Sequence, residues 1–287
     1  MKKLNRRTFL KSVGIAGPAL FMFGKVSTLF AGPLEHAKKK NFWKNGRFTQ
    51  TSVDISGYEK GIIRACVDGS WHDYPIRSAS AGFIEWNQKK RIEFLDAIKT
   101  GEMPGWGGPH SGAVATYGLS RLDSVFSLNN AIKGIGLAPK DEYLDDAIKK
   151  LKDTYESSLP EKMEVLKSFY NDLNFIDWRK QTSLELYSEP DFETHTFLNV
   201  MKNPVSTIVF LDIPSYELRT IARIVDENDP SALPSEKKLL EFVNLAHSYM
   251  HGKFSKTFPL LLFYIVEEFD NTPGSKLGIR SVPERKE

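Results

Sequence analysis

Six histidines carry most of the acid–base and ligand chemistry open to this chain: His36, His72, His110, His195, His247 and His251. Two of them, His247 and His251, lie four residues apart. On a helix that spacing puts both rings on one face, roughly 6 Å apart, where they can hold a metal ion or meet a haem edge. A full site needs further ligands, and the candidates His195, Glu241 and Asp270 are distant in sequence. The same pair also suits a helix C-terminus, where the dipole favours a cation, or plain packing under a sheet. His72 stands beside Asp73, an acid–base pairing by composition. Neighbours on a strand point to opposite faces, however, so the two do not meet directly.

Arg219 and Arg223 are four residues apart in a stretch that reads as a strand. Alternation gives them one face and Thr220 and Ala222 the other. Two arginines on one face can bind a phosphate or carboxylate; they can equally pair with Glu217, Asp226 or Glu193. Residues 104–112 combine glycines, prolines, Trp106 and His110. Such a loop can expose amides to an anion or lend a lid to a pocket, but it lacks the Lys-Ser/Thr ending of a nucleotide P-loop. Cys66, the one cysteine, sits in an apolar run and reads as a buried thiol. A single cysteine excludes an intramolecular disulfide and any all-cysteine metal or iron–sulfur site.

The elements that must position these groups change along the chain. Residues 61–80 read as a hairpin turning at Asp68-Gly69. Apolar spacing predicts helices over 89–99, 119–132 and 140–174, the last broken at Pro160, with a glycine-rich loop over 103–118. The C-terminal part alternates strand and helix: strand 182–187, a short helix 191–202 stopped at Asn203-Pro204, strands 205–213 and 216–225, helix 234–251 ended by Gly252, and strand 259–269. The three strands 205–213, 216–225 and 259–269 are expected side by side and antiparallel. The fold class is therefore α+β, an antiparallel barrel or sheet with a helical insertion or subdomain, to which a family resemblance over 180–275 adds the expectation of a split-barrel-like sheet. The organisation read is a leader over 1–32, a linker over 33–60, a barrel-like domain from 61–85 and 176–287, and a mainly helical insertion over 86–175.

The whole chain has 287 residues, 41% hydrophobic and 26% charged, which excludes a largely disordered chain and a polytopic membrane protein. Its net charge of +3 resides in the leader. The first 32 residues hold six of the 39 Lys and Arg and none of the 36 Asp and Glu, leaving 33 basic against 36 acidic residues in the body. Charge thus gives no reason to expect a nucleic-acid partner.

Two resemblances follow. Asn5-Arg6-Arg7-Thr8-Phe9-Leu10-Lys11 resembles the twin-arginine export motif, followed by a short apolar stretch and a small-residue site at Phe30-Ala31-Gly32. The apolar run is about a dozen residues against the roughly 20 needed to span a bilayer, so no stable membrane anchor is expected. The resemblance implies the twin-arginine translocase as a partner, a periplasmic or otherwise exported location, and a body that crosses folded, often with a cofactor inserted or a partner redox subunit attached. The second resemblance runs over 180–275. Asn203-Pro204 with 205–210, then Leu218-Arg219-Thr220-Ile221-Ala222-Arg223, then Val266-Glu267-Glu268-Phe269-Asp270 with Pro273-Gly274, is similar to the FMN-binding split barrel of pyridoxamine-phosphate-oxidase-like proteins. Ala65-Cys66-Val67-Asp68-Gly69 resembles that family's first turn.

The family resemblance implies FMN, held at its phosphate by Thr182 and Ser183, with Arg219 and Arg223 supplying charge and His195 as the acid–base group. The family's Lys before the helix is missing here. The function implied is an exported cofactor-binding protein, a flavin-dependent oxidoreductase of the split-barrel type. The alternative is a non-catalytic accessory or binding subunit of an exported redox enzyme. Haem or metal at His247 and His251 ranks behind FMN, and a homodimer is compatible with either reading.

Overall fold

The computed structural model describes residues 42–102, 107–121, 123–274 and 278–284. The leader with Arg6 and Arg7 lies outside the described residues.

The chain opens with a small three-stranded antiparallel sheet: β1 (Val53–Asp54), β2 (Ile62–Val67) and β3 (Ser70–Pro75). β2 and β3 are joined by Asp68 and Gly69, whose φ values of 50° and 86° are the left-handed pair that a two-residue hairpin needs. The sequence-predicted hairpin is therefore present. It belongs to this separate sheet, however, and not to the main one.

Helix α1 (Ala81–Thr100) follows, started by the Ser80 side chain accepting from the Phe83 amide and stopped at Gly101 in the left-handed region. Next come β4 (Ser111–Tyr117), β5 (Leu128–Gly134) and β6 (Gly136–Pro139), then α2 (Leu144–Asp153) and α3 (Leu159–Asn171). These strands correct two expectations. Residues 111–117 are a strand where a loop was expected, and 119–132 hold no helix among the described residues. Asn129 and Asn130 favour helix weakly, and the ladder to β4, from Ser111↔Gly134 to Tyr117↔Leu128, settles the choice. The segment 86–175 thus contributes strands to the main sheet as well as helices.

The rest is β7 (Ile176–Leu184), α4 (His195–Lys202), β8 (Val205–Val209), β9 (Tyr216–Val225), α5 (Pro234–His251), β10 (Leu260–Asp270) and β11 (Ile279–Val282). The main sheet is antiparallel in the order β5-β4-β8-β9-β10-β7-β6, with β11 beside β10. β8, β9 and β10 are adjacent, as their apolar runs predict. The two ends of the order, β5 and β6, are consecutive in the chain and separated only by Ile135. The sheet therefore curls back on itself as a half-barrel, and Lys133 reaches Glu185 just past β7 at 3.2 Å.

Two cores result. The concave side holds Val114, Ile208, Leu218, Leu261, Phe263 and Ile265, plugged by Phe83 and Trp86 of α1 and Phe197 of α4. Gly112 lies here because a Cβ would stand 2.6 Å from Ile208 Cγ2. The convex side of β9, β10 and β7 buries Ile221, Val225, Leu260, Leu262 and Tyr264 under α2, α3, α5 and the small sheet. Burying each such side chain is worth roughly 1.5–3 kcal/mol, so β10, apolar on both faces, is the spine of the molecule.

Candidate functional site

The convex layer contains a continuous chain of buried polar groups. Tyr58 sits in a 3₁₀ turn (Tyr58–Lys60) after β1, opposite Asp177, Arg179 and Lys180 of β7. The β6–β7 ladder slips between Leu137 and Pro139, and Asp177 and Lys180, three residues apart, both reach the same hydroxyl. Lys180 Nζ donates to Tyr58 Oη at 2.9 Å and lies 3.2 Å from Asp177 Oδ2. Arg179 forks onto Asp177 at 2.8 and 2.9 Å and also donates to Tyr58 Oη at 3.1 Å. Tyr58 in turn donates to Asp177 Oδ2 at 3.1 Å. Its ring packs edge-on to Tyr264, whose hydroxyl donates to Glu236. Glu236 accepts from Arg223 Nε at 2.7 Å, and Arg223 reaches Asp229 at 3.2 Å.

The electrostatics follow from this pairing. Burial alone would raise the Asp177 carboxyl, but the Arg179 hydrogen bonds and the Lys180 charge outweigh it and hold the group well below the usual carboxylate range. Burial alone would lower Lys180, and Asp177, Tyr58 and Asp141 outweigh that in turn, so its ammonium is held charged above its usual range. Burial pushes the Tyr58 hydroxyl up. A cleft of about 420 Å³ opens beside the group, bounded by Tyr58, Lys140, Asp141, Glu142 and Arg179. It offers a small polar molecule donors and acceptors of both signs. The Tyr58 proton is committed to Asp177, so the arrangement suits binding and latching of layers better than proton transfer.

The residues singled out from sequence fall in separate surroundings. Arg219 and Arg223 do share a face of β9, but their company differs. Arg219 is half exposed, paired with Glu217 at 2.9 Å and Glu267 at 3.6 Å, and lies over the Phe269 ring. Arg223 is fully buried and held by Glu236, Asp229 and Ser231. Thr182 and Arg223 flank Leu262 in one row across β7, β10 and β9, roughly 10 Å apart. The Thr182 hydroxyl is buried with no hydrogen-bond partner, beside Gly136, where a Cβ would approach it to 2.7 Å. Ser183 faces the other way, opposite Leu261. His195 is the first residue of α4, with Nε2 3.5 Å from Asp123 Oδ1. That helix starts four residues later than expected, capped by Thr194. Among the described residues, no two of these five share a hydrogen-bond or ion-pair partner.

No family model matches this chain, and no curated protein matches it.

Of the remaining candidates, His110 is half-buried, its ring tilted at 31° and 3.8 Å from the Phe94 ring, with Nδ1 3.4 Å from Arg91. Asp73 pairs with Arg64 at 3.7 Å, not with His72. Cys66 is half-buried. No helix among the described residues is long and apolar enough to cross a membrane.

Sequence reasoning missed Tyr58, Asp177 and Lys180. It began the strand at residue 182, six residues late, and so left the charges of 177–180 outside any element. The available signal was that charged run set directly between Ile176 and the apolar end of the strand.

A second feature is a surface. The outward side of β5, β4 and β8 shows rows Ile132–Ala113–Val209 and Asn130–Ala115–Thr207, with Leu128 opposite Tyr117. It carries no charged side chain on these three strands; the rows end at Glu217 and Arg219 of β9. Ile132 is 64% and Leu128 66% exposed, and apolar overhangs stand at both ends: Val125 and Phe126 (75%) at one, Leu211 (79%) and Ile213 at the other.

Proposed function

We propose that this chain is an exported, non-catalytic binding subunit whose working unit is two copies joined face to face through β4, β5 and β8. The observation that carries the reading is the uncharged, exposed apolar face just described, on a molecule whose other sheet face is covered by helices. Exposed apolar area of this kind marks an interaction surface. A second copy is the occupant because the face is self-complementary. Under a twofold axis normal to the strands, the Phe126 end of one copy meets the Leu211 end of the other, so apolar overhang covers apolar overhang. The arginines that a phosphate would need are each engaged by carboxylates of this chain, which favours the binding-subunit reading over a flavin enzyme complete in itself.

Light scattering on the purified protein tests the proposal. The expected result is a dimer that Ile132→Asp converts to a monomer with an unchanged circular dichroism spectrum. A monomeric wild type, or an Ile132→Asp dimer of unchanged affinity, would overturn it. The flavin reading is favoured by one observation, the unpartnered buried Thr182 hydroxyl, and a flavin absorption band in the purified protein would restore it. Export rests on Arg6 and Arg7: replacing both by Lys should leave precursor in the cytoplasm, and normal export of that variant would remove the assignment.

A further inference from the structure

The rings of His247 and His251 stand on the last turns of α5 with centroids 4.6 Å apart and planes at 43°. The Phe254 ring closes one side at 5.4 Å from His247. We propose that these two imidazoles form a binding site for a borderline divalent transition metal, Cu²⁺ above Ni²⁺ or Zn²⁺, with solvent completing the coordination.

The two rings are close enough for one ion to reach both. A metal bonded at ~2.0–2.1 Å to one nitrogen of each ring lies roughly 3.2 Å from each centroid. Two centroids 4.6 Å apart lie within the roughly 6.4 Å that two such bonds can bridge. Cu²⁺ leads because nitrogen donors bind it most tightly in the first-row divalent series. The chemistry of the donors agrees. Imidazole nitrogen is a borderline donor that suits Cu²⁺, Ni²⁺ and Zn²⁺ alike. Among the described residues, no hydrogen bond or ion pair engages a nitrogen of either ring. Among the described residues no group of three or more His, Cys, Asp or Glu gathers to hold a metal. The site therefore supplies two ligands and keeps open positions, which makes it a place for exchangeable metal.

The test is titration of tag-free, full-length mature protein with Cu²⁺, read by electron paramagnetic resonance and by competition against a chelator of known affinity. One equivalent should bind with splitting from two equivalent nitrogens. His247→Gln and His251→Gln should each weaken that equivalent at least tenfold and remove one nitrogen from the spectrum, while circular dichroism stays unchanged. Ni²⁺ should compete more weakly than Cu²⁺. Loss of folding in a Gln variant moves the reading to the wild-type spectrum alone, where two-nitrogen splitting supports the site. A wild-type protein that binds no equivalent tighter than the His247→Gln/His251→Gln variant, or a spectrum unchanged by either substitution, would overturn the proposal.

Discussion

Asp177→Asn is the most informative single perturbation of the buried polar chain. The substitution keeps the shape of the side chain and removes its charge. Arg179, partly exposed, can turn to solvent, but Lys180 cannot: it is buried and keeps only the Tyr58 hydroxyl at 2.9 Å and Asp141 at 3.5 Å. Removing one partner of a buried ion pair costs about 3–5 kcal/mol, because the remaining charge stays desolvated. The asparagine oxygen still accepts one bond, so the lower end, about 3 kcal/mol, is expected. Lys180→Met should cost less, about 1–2 kcal/mol, since Asp177 retains its Arg179 fork. The double variant should then cost about as much as Lys180→Met alone, a coupling of about 3 kcal/mol.

Urea unfolding followed by tryptophan fluorescence reads all three values. Asp177 is held below its unfolded value of about 3.9, so its stabilisation is fully present above pH ~4 and fades only as pH falls further toward the native value. The cost of Asp177→Asn should therefore be flat from pH 5 to pH 9 on that account. A cost below about 1 kcal/mol, or strict additivity of the pair, would refute the view that these charges lock the small sheet to β7.

The remaining predictions concern packing and titration. Gly112→Ala should destabilise by about 1–3 kcal/mol in thermal unfolding, because its Cβ would meet Ile208 at 2.6 Å inside the concave core; a neutral result would mean that β4 and β8 separate easily. His247, depressed to about 4 against roughly 6.5 unfolded, makes the unfolded chain bind the extra proton between those values. Stability should fall by about 2–3 kcal/mol as pH drops from 6.5 to 4, and His247→Gln should flatten that slope. An unchanged slope would place the titration elsewhere.

The long apolar strands were legible because their burial writes itself as composition. β9 begins and ends where alternation in 216–225 says, and β10 follows from 259–269 almost to the residue. α5 was legible from Pro234 and Gly252 at its ends. β4 was hidden among glycines that serve close strand packing as well as they serve loops. β5 was hidden because an edge strand exposing Leu128 and Ile132 has no buried face to announce its period. The polar chain was illegible for a different reason. Tyr58 and Lys180 are 122 positions apart, and only the layering of the small sheet on the convex face brings them together. The slip in β7 that aims Asp177 and Lys180 at one hydroxyl has no local sequence mark.

The strand order has a consequence for synthesis. β10, the spine to which β7 and β9 both pair, is made near the end of the chain, and β4 waits for β8, with Ala113 opposite Val209. A chain emerging from the ribosome up to residue 175 holds β4, β5 and β6 but neither of the strands that cover their outer edges, and its concave core cannot close. The unpaired edges are then open to other chains until the last strands arrive. Completion is all-or-nothing near residue 270. A truncation that removes β10 should yield not a smaller domain but a chain held by chaperones. A route that carries only finished proteins would thereby have a natural checkpoint in the position of one strand.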